Sequence, residues 1–506
     1  MEKFYISTAI AYVNAPPHIG FALEVIFADV LARYHRLKGD ETFYLTGVDE
    51  HGVKLYEAAK NAGLTSQEFV DRNAEKFQAL KGILNLSNDD FIRTTSERHK
   101  KGAQKIWTTM FEKGDIYKGS YKGNYCVGCE AFIADKDLDE NGFCPNHKKK
   151  PELLEEENYF FKLSKYSDQI KKAIESDEMK IVPESRKKEF LNLIGEGGLN
   201  DVSFSRPKTV LPWGIDVPND DSQVMYVWCD ALTNYISALG YGSDDMGAFA
   251  KFWPCDSHII GKDILRFHAG IWIGMLLSAE IALPKSILVH GFITSEGQKM
   301  SKSLGNVVDP LIYVDKYGAD SLRYFLTREI PTFDDGDFSH KRFVEVYNSE
   351  LANGLGNLVN RVVMMTERYV DGKVPALTSA EGVHDKLIGL MKRYEAAMEN
   401  FDLKTACETA YEVVDFGNKY IDDMKPWVMA KDEANKEMLA NVLYNLLEVL
   451  RIIAIMIAPY VPQTSEKIFE QIGMKMGEVK WSCDWGILKE GGIVKKADVL
   501  FQRLEE

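Results

Sequence analysis

No internal repeat and no low-complexity tract interrupts this chain, and its longest apolar region, residues 443–460, is broken by Glu448 and Arg451. Those charges argue against a membrane span and for a helix buried in a bundle. Cysteine is scarce: Cys126, Cys129, Cys144, Cys229, Cys255, Cys407 and Cys483 are seven among 506 residues. An odd number with three clustered argues against a disulfide framework and for metal ligation. Positive charge is in deficit, with a formal net charge of −15. The global field therefore repels a polyanion, and any nucleic acid must be met on local basic surface and by shape. A cleavable leader is not expected either. Lys3 and the apolar run to Ala9-Ile10-Ala11 have its outline, but the run is short and Glu2 offsets the positive flank. The expectation is a cytoplasmic chain with no membrane partner.

What is present is a folded mixture, 45% hydrophobic and 27% charged, long enough for two to four domains. Residues 1–114 alternate strand-like runs (4–10, 41–47) with an amphipathic helix at 22–38. Strand, helix, strand implies right-handed parallel crossovers and a doubly wound α/β sheet. Residues 115–221 are rich in Lys, Glu, Asn and Gly, hold the cysteine cluster and a basic patch at Ser185-Arg186-Lys187-Lys188, and look like an inserted domain. Alternation returns over 222–335, with strands expected at 224–229, 258–261 and 286–291. Residues 336–506 follow a helical period, with long segments at 344–370, 380–400, 404–424 and 440–458.

Three stretches carry chemistry. In NAPPHIGF, residues 14–21, Pro16-Pro17 ends a strand and suits a helix entry. Gly20 leaves room for a bound group at the helix start, and His18 offers a donor there. Alone, the stretch is equally well read as an ordinary strand-to-helix loop. Lys299-Met300-Ser301-Lys302-Ser303, between Gly297 and Gly305, forms a cationic, hydroxyl-bearing loop suited to a polyphosphate, although most Lys/Ser-rich loops are merely solvated. Cys126-x-x-Cys129, then fourteen residues, then Cys144-x-x-His147 is a Cys₃His set with zinc-ligand spacing. Such a closed site is structural and staples an insertion poor in apolar residues.

HIG at 18–20 and KMSKS at 299–303 resemble the two signatures of class I aminoacyl-tRNA synthetases. Similarity to the methionyl-tRNA synthetases extends over nearly the full length. It includes VDEHG (48–52), YVWCDALTNY (226–235), HIIGKDILRFH (258–268), GNLVNR (356–361) and KPW (425–427). The resemblance implies a Rossmann-type sheet split by a zinc-binding insertion and followed by an α-helical anticodon-binding bundle. It implies activation of L-methionine with ATP and Mg²⁺, then transfer to the 3′ end of tRNA(Met).

By the same resemblance His18, Lys299 and Lys302 act in catalysis, and Gly20, Asp263 and Ser301 join them around ATP. Ile10, Tyr12, Asp49, Trp228, Ala231, Leu232, Tyr235 and His268 match methionine-pocket positions, Asp49 receiving the ammonium. An unbranched thioether has to be selected by shape and sulfur–aromatic contact. Asn357, Arg361 and Trp427 match anticodon readers, since Asn and Arg can bond base edges and Trp can stack. Two departures stand out: Phe21 replaces the family's usual second histidine, and Leu232 stands where some relatives carry proline. A nucleotidyltransferase of the same fold would not need the bundle. A non-catalytic zinc-containing RNA-binding protein would not need both signatures. A monomer is expected.

Overall fold

The computed structural model describes residues 2–126, 131–133, 138–145, 148–195, 197–300, 305–380 and 382–505. Its centre is a seven-stranded parallel sheet in the order Ala11–Tyr12, Glu41–Asp49, Lys3–Thr8, Ser257–Gly261, Ser286–His290, Lys180–Val182, with Asp90–Arg93 also paired to Glu41–Asp49. Strands from the two halves of the sequence meet in the middle, Ile6 opposite Ser257 and Thr8 opposite Ile259. Both faces are covered, which is why SHIIG and SILVH are buried along their whole lengths. Successive side chains feed opposite cores. Phe4 and Ile6 pack with helix Ile19–Lys38 and the helical bundle, whereas Tyr5 packs with Trp107 and Phe161 on the other face.

Two expectations are corrected. Residues 224–229 are not a strand of this sheet: Asp220–Met225 is an antiparallel strand of a separate three-stranded sheet, and helix Val227–Leu232 follows at once. The β-branched and aromatic composition favours extension, but tertiary packing of Cys229 and Leu232 overrides that propensity. The segment 115–221 is also not wholly inserted. Its strand Lys180–Val182 pairs in parallel with Ser286–His290 and forms an edge of the main sheet, too short to show a period. The same segment also builds a four-stranded sheet in which Ile116–Cys126 pairs with Ala131–Ile133 and Glu152–Phe161.

The bundle helices run Asn357–Val370, Val383–Glu399, Leu403–Met424 and Lys436–Ile457, as the periodicity indicates. Glu433–Ile457 is long and apolar enough to cross a bilayer, but 89% of its apolar window is buried inside the protein. Glu448 and Arg451 pair within it at 2.7 Å, both buried, so it is the core of the bundle.

Candidate active site

Where the first strand and Ser257–Gly261 lie side by side, their carboxyl ends open into a crevice, the place where an open α/β sheet holds a ligand. A cavity of about 830 Å³ lies there. Ala9 and Ile10 enter it from the first strand, and Lys262 and Asp263 from the second. Ile10, Tyr12 and Asp49 line it together with Trp228, Ala231, Leu232, Tyr235 and His268. Every residue assigned above to methionine thus borders one space, and Asp263 and Lys299 border it too.

His18 and Gly20 do not line the cavity; a Cβ on Gly20 would lie 3.5 Å from Ile293, the residue after cavity-lining Phe292. The expectation that Gly20 leaves room for a ligand is altered. The room is filled by His18, whose Cε1 would lie 2.9 Å from that Cβ. His18 caps helix Ile19–Lys38, its Nδ1 accepting the Gly20 amide at 3.0 Å. With Nδ1 an acceptor, the proton of the neutral ring sits on Nε2, which is left as a donor. Desolvation lowers the pKa of this ring although its edge meets solvent, favouring that neutral form. Phe21 packs edge-on against Phe77 at 5.0 Å, buttressing the helix start from behind.

Trp228, Ala231, Leu232 and Tyr235 reach the cavity because helical spacing sets them on one face. Trp228 lies flat on Phe267, centroids 3.8 Å apart, and Arg266 lies over the Phe267 ring at 4.6 Å. Tyr235 is fully buried, and burial pushes its phenol far above the usual range. It donates to His268 Nε2 at 2.7 Å, while His268 Nδ1 donates to the Ile264 carbonyl at 3.0 Å. Burial lowers His268 to about 4, so at neutral pH this wall carries no charge and suits a thioether.

Charge gathers around the rest of the cavity. Among the described residues, Lys54, Arg186, Lys262, Arg266 and Lys299 line it against Asp49, Glu189 and Asp263, five cations to three carboxylates. A locally positive space in an acidic protein suits a triphosphate. Lys262 and Lys299 lie 4.5 and 6.0 Å from the Phe292 ring, and Asp335 anchors Lys262 at 2.7 Å. Behind Asp263, Glu24 accepts from His290 at 3.0 Å; burial raises the Glu24 pKa, and Glu24 raises that of His290 against burial.

Sequence reasoning missed Lys54, Arg186, Lys262, Arg266, Glu24 and His290. The first four look like ordinary surface cations, and the last two are 266 positions apart and meet only through the sheet.

Ser301 and Lys302 lie outside the described residues, as do Cys129 and His147. Cys126 ends its strand paired with Ala131, and the Cys144 carbonyl accepts the Lys148 amide at 2.8 Å. Both thiols are buried in a charge-rich segment, an environment that fits a soft divalent cation. Among the described residues no three candidate ligands gather around one point.

In the bundle, Asn357 is exposed and Arg361 binds Asp422 at 2.7 Å. Asp422 is near the end of the helix that leads to Lys425, where a left-handed φ of 50° turns the chain and Trp427 stands 40% exposed.

A parallel sheet assembled from two halves of the sequence, a cationic crevice at its switch point and an appended helical bundle define a class I aminoacyl-tRNA synthetase. The comparisons agree. The family "tRNA synthetases class I (M)" matches residues 4–149 and 140–363, and "Anticodon-binding domain of tRNA ligase" matches 383–490. The methionine–tRNA ligase of Thermotoga maritima is 45% identical over 99% of this chain and 80% of its own length, and that of Clostridium tetani 44% over 100% and 79%. The Mycobacterium tuberculosis methionyl-tRNA synthetase in complex with methionyl-adenylate superposes with a TM-score of 0.95 at 38% identity, covering 99% of this chain and all of that one. Its apo form gives 0.88 at 35% identity, covering 100% of this chain and 99% of that one. The chain belongs to the methionyl-tRNA synthetase family.

Proposed function

We propose that this enzyme activates L-methionine with ATP and passes it to the 3′ end of tRNA(Met). The observation carrying the reading is that a carboxylate, an uncharged aromatic wall and a surplus of cations share one cavity. Asp49 receives the ammonium, and Tyr235, His268 and Trp228 select the thioether, with Ile10, Tyr12, Ala231 and Leu232 shaping the pocket. A methionine carboxylate oxygen attacks the α-phosphorus, the new C–O–P linkage forms, and the electron pair of the broken P–O bond leaves on pyrophosphate. No covalent enzyme intermediate is needed, so catalysis is positioning plus charge stabilisation. His18 donates from Nε2, Lys299 and Lys302 meet the charge growing on pyrophosphate, Ser301 adds a hydroxyl, and Asp263 holds the ribose or adenine region. The tRNA terminal hydroxyl then attacks the activated carbonyl and AMP departs.

Cys126, Cys129, Cys144 and His147 hold a structural zinc that takes no part in these steps, and Mg²⁺ arrives with ATP. Asn357, Arg361 and Trp427 read the anticodon. The enzyme works as a cytoplasmic monomer. Methionine-dependent exchange of pyrophosphate into ATP without tRNA tests the reading; exchange driven equally by leucine or cysteine overturns it.

A further inference from the structure

We infer that His51, Asp230 and His99 form a buried positioning relay that sets Asp49 and the aromatic wall for methionine; this rests on the adenylation reading above. None of the three lines the cavity, so none is a catalytic residue. Asp230 is fully buried and lies between Trp228 and Ala231 on the helix face turned away from the substrate space. It accepts from His51 Nδ1 at 2.6 Å and from His99 Nε2 at 2.7 Å. His99 Nδ1, then an acceptor, takes the Ser237 hydroxyl at 2.9 Å, two residues beyond Tyr235. At the other end the His51 amide donates to Asp49 Oδ1 at 3.3 Å.

One carboxylate therefore fastens four elements: the end of strand Glu41–Asp49, helix Glu97–Glu112, helix Val227–Leu232 and the turn Asn234–Ser237. Three of these carry cavity residues, Asp49, Trp228 and Tyr235. The relay is itself held from outside. His51 lies edge-on to Trp213 at 5.4 Å, and Trp213 Nε1 donates to the Glu50 carbonyl at 2.6 Å. The Glu50 carboxylate accepts from Arg93 at 2.8 Å. Gly52 leaves this segment with φ 115°, which a side chain would oppose, so the chain turns sharply enough to keep His51 inward.

Burial alone would raise the Asp230 pKa, but the positive field of His51 and the hydrogen bonds from His51 and His99 outweigh it and lower the value. A buried, ionised group of this kind adds little net stability over apolar packing of the same volume, whereas losing one partner misplaces everything tied to it.

The test is pyrophosphate exchange with the full chain, methionine and ATP varied separately. His51→Ala is expected to raise the KM for methionine on the order of ten- to a hundredfold while the KM for ATP stays near wild type. His51→Asn, which keeps an N–H donor near the Nδ1 position, is expected to recover most of that loss. Equal rises in both KM values, or no rescue by asparagine, overturn the proposal. If His51→Ala does not fold, the isosteric Asp230→Asn has to show the same selective rise, and a normal methionine KM there overturns it. Wild-type enzyme without methionine-dependent exchange would instead remove the adenylation reading itself.

Discussion

Asp29 and Arg323 meet at 2.7 Å with neither side chain exposed, joining the helix that begins at His18 to the helix Ala319–Arg328. Arg323 also donates to the carbonyls of Leu84, Pro459 and Tyr460, so one guanidinium ties two helices of the catalytic part to the end of the bundle's central helix. The apolar core on this face of the sheet is likewise continuous into the bundle. Catalytic and helical parts are therefore one packed body at this seam.

Arg323→Met leaves Asp29 with only Arg33 and Ser87 and strands three carbonyls, and is expected to cost about 3–5 kcal/mol of unfolding free energy. The double variant with Asp29→Leu should cost clearly less than the sum of the two single changes, since each single change leaves a buried charge without its fully buried partner. Burial raises the Asp29 pKa, but Arg323, Arg33 and Ser87 outweigh it and lower the value. The stabilisation is thus complete above the ordinary aspartate range and is lost as pH falls through the depressed folded value. Acid unfolding monitored by circular dichroism should be less steep in Asp29→Asn than in wild type.

His268 gives the same sign for a different reason. Burial holds its folded pKa at about 4, below the unfolded 6.5, so between those values the unfolded chain binds the extra proton. Stability is therefore full above pH 6.5 and declines toward pH 4, by about 3 kcal/mol from this group. His268→Gln keeps an acceptor for Tyr235 and does not titrate. Denaturant midpoints at pH 6.5 and pH 4 should differ less in that variant than in wild type.

The sequence shows some of this site directly and conceals the rest for physical reasons. Trp228, Ala231, Leu232 and Tyr235 stand at helical spacing, and His18 with Gly20 marks a helix entry whatever the tertiary structure. The same Val- and aromatic-rich run around Trp228 also fits a strand, and only packing decides between them. Lys180–Val182 joins the sheet through backbone pairing, which leaves no pattern in three residues. The His51–Asp230–His99 contacts span 179 and 131 positions and exist only once the strands are ordered. Arg186 reaches the cavity from the segment expected to be an insertion, where it looks like part of a solvated basic patch.

Lys302→Ala should lower the rate of pyrophosphate exchange on the order of a hundredfold or more, because its partner charge grows only as pyrophosphate leaves. Methionine binding measured by calorimetry should persist. Unchanged exchange would remove the second lysine of KMSKS from the mechanism and leave Lys299, at the cavity rim, to act alone.

Cys144→Ser should lower the zinc content per chain and the thermal midpoint together. Cys144 is fully buried, and a serine there cannot replace thiolate as a soft ligand. Exchange activity should survive, since the proposed metal stabilises the insertion and touches no reacting atom. Full zinc content in the variant means that the ligand set is wrong.

Trp427→Ala tests RNA recognition apart from adenylation. At 40% exposure it contributes little to the core, so Trp427→Ala should fold normally. If an unpaired base stacks on it, the loss is about 1–3 kcal/mol, or roughly ten- to a hundredfold in kcat/KM for tRNA charging, with exchange unchanged. Arg361→Ala breaks an ion pair with Asp422 whose surface position makes it worth under about 1 kcal/mol. A charging defect larger than that stability loss would therefore report contact with RNA. The decisive comparison is a tRNA with an altered anticodon. Wild type should discriminate against it strongly, whereas Trp427→Ala and Arg361→Ala should charge both tRNAs at similar low rates. Retained discrimination in both variants would place anticodon reading elsewhere on the bundle.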